Sequence, residues 1–408
     1  MVSLLRKDSP KFLAVDTDCL YLLATQHPET QEAIVQQNLG IPELVRIMQI
    51  TNYEKLLWAT SRLLRVLSVS PPCKVAIVNA GGMQALGGHI GGPSQRVQLN
   101  CLWALRNCSD QAIEQENVAQ LLETAVALLS TDDVNIVACC VGILSNLTCN
   151  NQRNKVAVCR VGGIQGLIHV ISTFADREDV TEPAICSLRH VTSRHPEAET
   201  AQNAVRLHIG LEHVVALLTN GHPSWSLVKA VLGLVRNLAV CSANIDPLRQ
   251  LNIVDTVAQL LRLSTGQVAR VGESGEFEGR VRMVDVVEHS AGALHCLARD
   301  PINRAMIKQQ NLIPLFVQLL YYSDVNVRRV SAGALCELAQ DPDAAVLIEQ
   351  EGPDTILRKA LESKNEGLVF NRIYYLRLSI RNIFCTLTLG TDVKGGAEIS
   401  AYARLLLL

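Results

Sequence analysis

Seven times along this chain a helix is closed by the same short signature, and that recurrence limits the possible folds more than any single motif does. The signature reads Arg65-Val-Leu-Ser68, Arg106-Asn-Cys-Ser109, Ser145-Asn-Leu-Thr148, Arg189-His-Val-Thr192, Arg236-Asn-Leu-Ala239, His295-Cys-Leu-Ala298 and Cys336-Glu-Leu-Ala339. Its second residue returns at intervals of 41, 39, 44, 47, 59 and 41. A period of roughly 40 to 47 residues belongs to a two- or three-helix unit that cannot bury its own apolar face and stacks on its neighbours. At 408 residues the chain exceeds one compact domain, and it does so by repetition.

One unit reads in full from Asn154 to Thr192. A short helix ends at Val161-Gly162-Gly163, a second runs from Ile164 to Ile171, and a third from Glu182 to Val191 carries the apolar stripe Ala184, Ile185, Leu188 and Val191. The glycine pair suits a helix end that needs a left-handed residue. The repeat domain is expected over 1–367, beginning partway through a unit that ends at Leu20-Tyr-Leu-Leu-Ala24. The interval of 59 predicts an inserted, mobile loop at about 263–284 that the stack does not need. Residues 368–408 lose the pattern and read as a divergent C-terminal segment, partly helical or disordered.

Aliphatic residues dominate, aromatics are only 4 %, and the formal charge is −2, so the chain as a whole draws neither nucleic acid nor an anionic membrane. Thirteen cysteines without a C-x-x-C pair read as buried apolar thiols in a reducing compartment. His190 and His195, or His208 and His213, are five apart and fall on different helix faces, so no metal site is expected. Phosphate-cradling loops and a serine elbow are missing, so catalytic residues and cofactors are not expected either.

Every unit of a solenoid points a given slot the same way, so a residue type that recurs there becomes a stripe. The slot opening the signature holds Arg65, Arg106, Arg189 and Arg236. Neighbouring positions add Lys55, Arg62, Arg96, Arg194, Lys229, Arg299 and Arg329. Such a groove would attract an acidic segment through many weak contacts. Asn107, Asn146 and Asn237, with His190, occupy the second slot. Their side chains either pair with the backbone of an extended peptide or tie helix ends inside the stack.

Tyr53-Glu-Lys-Leu-Leu-Trp58, Asn100-Cys-Leu-Trp-Ala-Leu-Arg-Asn107, Gly142-Ile-Leu-Ser-Asn-Leu-Thr-Cys-Asn-Asn151 and Pro314-Leu-Phe-Val-Gln-Leu-Leu320 closely resemble the armadillo-repeat catenin family, β-catenin and plakoglobin, in register from about Met1 to Gly367. The resemblance implies an all-α, right-handed superhelical armadillo solenoid of about eight or nine three-helix repeats. It further implies a monomeric, non-enzymatic scaffold of cell adhesion and Wnt signalling, at cell junctions, in the cytoplasm and in the nucleus. The implied partners are cadherin cytoplasmic tails and T-cell factors, with axin and the adenomatous polyposis coli protein, and neither nucleic acid nor membrane directly. Matching positions include Lys11, Phe12, Arg62, Arg96, Trp103, Arg106, Asn107, Asn146, Lys155, Arg189, His190, Arg194, Lys229, Arg236, Arg299 and Arg329. Lys155 looks like one of two lysine buttons for ligand carboxylates, whereas the other falls near Glu32, with reversed charge. The resemblance includes neither the family's N-terminal degron and α-catenin site nor its C-terminal transactivation tail, so actin linkage and transcriptional activation are not expected of these residues. An alternative is an importin-α-like adaptor for basic localisation signals, because Trp103 and Asn107 share that family's W-x-x-x-N spacing.

Overall fold

The computed structural model describes residues 1–351 apart from Asn38, 220–222 and 278–280. The last part of the expected repeat domain and all of the expected C-terminal segment 368–408 lie outside the described residues. Among the described residues twenty-two α-helices follow one another, with four short 3-10 turns and a pair of two-residue strands, Glu276–Phe277 and Val281–Arg282. The chain divides into two compact units, Met1–Thr256 with Glu276–Val281, and Val257–Gly275 with Arg282 onward.

In the first unit the signature-bearing helices form an internal ladder. Helix Pro10–Gln26 packs on Glu54–Leu67, and Gln95–Cys108, Val134–Thr148, Glu178–Val191 and Trp225–Leu238 continue the ladder in order. In Glu178–Val191 the buried stripe Ala184, Ile185, Leu188 and Val191 is the one its periodicity predicts, whereas Val134–Thr148 is buried on all sides from Ile136 to Leu144. Two shorter helices precede most of them. Gln152–Arg160 turns into Gly163–Thr173 through Gly162, whose φ is +83°. A Cβ on Gly163 would meet the Val158 carbonyl oxygen at 2.6 Å, so both glycines serve the sharp turn.

Helix Glu178–Val191 begins four residues before the expected Glu182, with Pro183 inside it. Glu178 and Asp179 in its first turn favour the positive end of the helix dipole, and Thr181 Oγ1 donates to the Arg177 carbonyl at 2.6 Å.

In the second unit Met283–Leu297 packs on Val325–Leu338. The loop expected from Leu263 begins later, because helix Ile253–Val271 continues the stripe Val257, Leu261, Ser264 and Val268 until Gly272 breaks it at φ +80°. The inserted segment also serves the stack. The Glu273 carboxylate accepts from Ser323 N (2.9 Å), Ser323 Oγ (2.6 Å) and Asp324 N (3.2 Å), bracing Asp324, which caps the Val325–Leu338 helix by accepting from Asn326 N and Val327 N.

Candidate functional site

Lys55, Trp58, Arg62 and Arg65 are spaced three, four and three apart on helix Glu54–Leu67, which sets them in one stripe. Arg96, Trp103 and Arg106 do the same on the next closing helix, Gln95–Cys108. The Arg62 guanidinium is sandwiched between the rings of Tyr21 (3.7 Å) and Trp58 (4.2 Å), and donates to Asp18 Oδ1 at 2.8 Å. Arg96 covers Trp58 at 5.3 Å and places Nε and Nη2 on Glu54 Oε1. Trp103 carries both Arg65 (5.4 Å) and Arg106 (5.3 Å). The guanidinium planes are thereby held by aromatic faces, each contact contributing about 0.5–1 kcal/mol where exposed. Arg106 also lies across Gly142, where a Cβ would stand 2.8 Å from its Nε. Two cations thus already lie over the Trp103 ring.

A second cluster gathers Lys155, Arg189, His190 and Arg194. Lys155 is 4 % exposed rather than projecting as a button, and its Nζ donates to the Ser193 carbonyl at 2.9 Å. Burial and the nearby Arg194 lower its pKa. Burial, then Arg189 and Lys155, push His190 down to about 4, so the ring is neutral at neutral pH. Arg194 is exposed, with a left-handed φ of +58°. Among the described residues none of these three cations is paired with a carboxylate.

Lys11 and Phe12 are exposed on helix Pro10–Gln26, and Glu32 on helix Glu29–Gln36. Lys229 and Arg236 sit half-buried on helix Trp225–Leu238, where Lys229 and Arg189 both act on the Cys186 thiol. Arg299 and Arg329 belong to the second unit. Arg299 is exposed, and Arg329 donates to Asn326 Oδ1 at 3.2 Å.

The anchor side chains are tied into the stack. Asn107 Nδ2 donates to Ser68 Oγ (2.9 Å), Asn146 Nδ2 to Ser109 Oγ (2.9 Å), and Asn237 Nδ2 to Thr192 Oγ1 (3.3 Å) and the Arg189 carbonyl (2.8 Å). His190 Nδ1 meets Thr148 Oγ1 at 3.1 Å. Each anchor is thus joined to the last signature residue of the preceding repeat, and Asn237 to its first residue as well, yet all four anchors stay half-buried and the asparagine Oδ1 atoms have no partner among the described residues. The two uses open to an anchor amide are therefore compatible, since one end is held and the other is not. The role of the hydroxyls is not evident from the sequence alone, although their signal stands in the signature. Its last residue is Ser68, Ser109, Thr148 and Thr192 before a polar anchor, but Ala239 before Cys296. Tyr21, Trp58 and Asp18, which hold Arg62, carry no such signal because they come from two different repeats.

The Armadillo/beta-catenin-like repeat family model matches residues 70–110 and 300–340. Junction plakoglobin of Homo sapiens is 52 % identical over 370 residues, covering 90 % of this chain and 49 % of the relative. Catenin beta of Urechis caupo is 52 % identical over 375 residues, 90 % of this chain and 45 % of the relative. The chain thus spans about half the length of the curated relatives it matches. A chain from the structure "A conserved phosphorylation switch controls the interaction between cadherin and beta-catenin in vitro and in vivo" superposes with a TM-score of 0.84 at 31 % identity, covering 93 % of this chain and 74 % of that one. An engineered protein shares the fold at a TM-score of 0.65 and 19 % identity, over 92 % of this chain and 97 % of its own. From repeat, ladder and relatives together, the chain belongs to the armadillo-repeat catenin family.

Proposed function

We propose that this chain is a non-catalytic scaffold that binds acidic, extended protein segments along the cationic face of its closing helices, cadherin cytoplasmic tails first and T-cell factors second. Axin and the adenomatous polyposis coli protein fall in the same chemical class of ligand. The roles that follow are cell adhesion and Wnt signalling, at cell junctions, in the cytoplasm and in the nucleus. One observation supports the reading above the others: Lys155, Arg189 and Arg194 converge without a carboxylate among the described residues, and burial, with the neighbouring cations adding to it, depresses the protonation of Lys155 and His190. Cations that repel one another are stabilised by an anion laid across them. Arg65 and Arg106, stacked on Trp103, extend the same surface.

The test is calorimetric titration with an acidic cadherin cytoplasmic peptide and, separately, a T-cell factor N-terminal peptide, at low and at physiological salt. Binding is expected to weaken by about ten-fold on passing from about 0.03 to about 0.15 M salt, as the Debye length shortens. Lys155→Glu is expected to cost at least about ten-fold more. Binding indifferent to both changes would sink the reading, as would no binding at either salt.

A further inference from the structure

We infer that Ser68, Ser109, Thr148 and Thr192 are positioning residues that fix the polarity of the anchor ladder, so that a bound chain must supply backbone N–H groups at His190 and Asn237. The inference rests on the extended-ligand reading above and adds what the ladder demands of the ligand.

Each of these hydroxyls has one proton, and each commits it to its own helix: Ser68 Oγ to the Arg65 carbonyl (2.7 Å), Ser109 Oγ to Arg106 (2.9 Å), Thr148 Oγ1 to Leu144 (2.7 Å) and Thr192 Oγ1 to Leu188 (2.7 Å). The hydroxyl oxygen therefore meets its anchor as an acceptor, and the anchor approaches with N–H. Asn107 and Asn146 each spend one N–H this way and keep Oδ1 and the second N–H. Asn237 directs Nδ2 at two acceptors, Thr192 Oγ1 and the Arg189 carbonyl, and keeps Oδ1. His190 Nδ1 lies 3.1 Å from Thr148 Oγ1, whose own proton is given to the Leu144 carbonyl. The hydroxyl oxygen therefore meets the ring as an acceptor, so Nδ1 carries the proton and Nε2 keeps a lone pair.

The ladder is thus graded. Asn107 and Asn146 can pair with both halves of a peptide group, whereas His190 and Asn237 accept only. An extended segment lies across the latter two with N–H groups toward them, and a proline or N-methylated residue there leaves a desolvated acceptor unpaired. Co-occurrence within the sequence supports the coupling, since Ala298 precedes Glu337 just as Ala239 precedes Cys296, and a polar amide or imidazole anchor appears only after a hydroxyl.

Two measurements decide it. In the free full chain with ¹⁵N-labelled histidine, the His190 ring is expected as the Nδ1–H tautomer; an Nε2–H ring overturns the proposal whatever binds. The acidic cadherin peptide is then titrated alongside variants N-methylated at one backbone position each. One or two positions are expected to lose about ten-fold or more in affinity, the size of a buried acceptor left unpaired. Thr148→Ala removes the acceptor that holds the His190 Nδ1 proton and should shrink the penalty at the position facing the ring, with Thr148→Ser restoring that penalty. Thr192→Ala serves the same purpose at Asn237 should Thr148→Ala fold poorly. Tight binding of the unmodified peptide with a flat N-methyl scan overturns the polarity proposal alone. Failure of the unmodified peptide to bind overturns the groove reading, and the ring tautomer still decides the ladder's polarity.

Discussion

Among the four amide and imidazole anchors His190 alone can change charge, and its surroundings set the direction of the effect. Burial among Arg189 and Lys155 holds the folded ring's pKa at about 4, below the ordinary imidazole value of 6.5. The unfolded chain therefore takes up the proton first as pH falls. Stability from this residue is complete above about pH 6.5 and is lost between there and about pH 4, at up to about 1.4 kcal/mol per pH unit. Urea titrations from pH 7 to 4.5 should accordingly show the wild type losing stability more steeply than His190→Asn; parallel curves would mean that the ring titrates normally. Recurrence in the signature makes the arginines and anchors legible in the sequence. The burial of Lys155 is not legible there, because the Ser193 carbonyl that draws its ammonium inward comes from the next repeat.

At the scale of elements, helices follow from apolar spacing, but their ends follow from partners far along the chain. The Asp324 cap of Val325–Leu338 is braced by Glu273, fifty residues before Ser323, and Glu178 plays a similar part in the first unit by accepting from Ser224 N at 2.9 Å. Removing a carboxylate that satisfies several donors leaves them to water. Glu273→Ala is thus expected to cost about 1 kcal/mol and to speed amide exchange in the first turn of that helix. Unchanged exchange at Val325 to Val327 would show the cap to be dispensable. The glycines and charges of this segment look solvated in the sequence and point to a loop, and a cross-repeat cap leaves no local periodicity to detect.

Over the whole molecule a charge of −2 conceals a sorting of cations onto the closing helices, which only the repeat register could reveal. The same stacking hides the thiols. Burial pushes Cys101, Cys108 and Cys139 up to about 12 and Cys159 and Cys186 to about 11, while Cys19 is exposed. Brief alkylation of the native chain at about pH 8, read by peptide mass spectrometry, should label Cys19 first among the described cysteines. Earlier labelling of Cys139 would indicate that the first unit opens readily.

The hydroxyl-to-anchor bond has a consequence for how such chains can be cut and rejoined. At the four boundaries that carry this bond, donor and acceptor sit on opposite sides, so a module excised there triplet by triplet carries an anchor away from its own hydroxyl. A graft taken from just before one hydroxyl through the following anchor keeps the pair intact, which makes the junction, rather than the triplet, the portable part of this architecture.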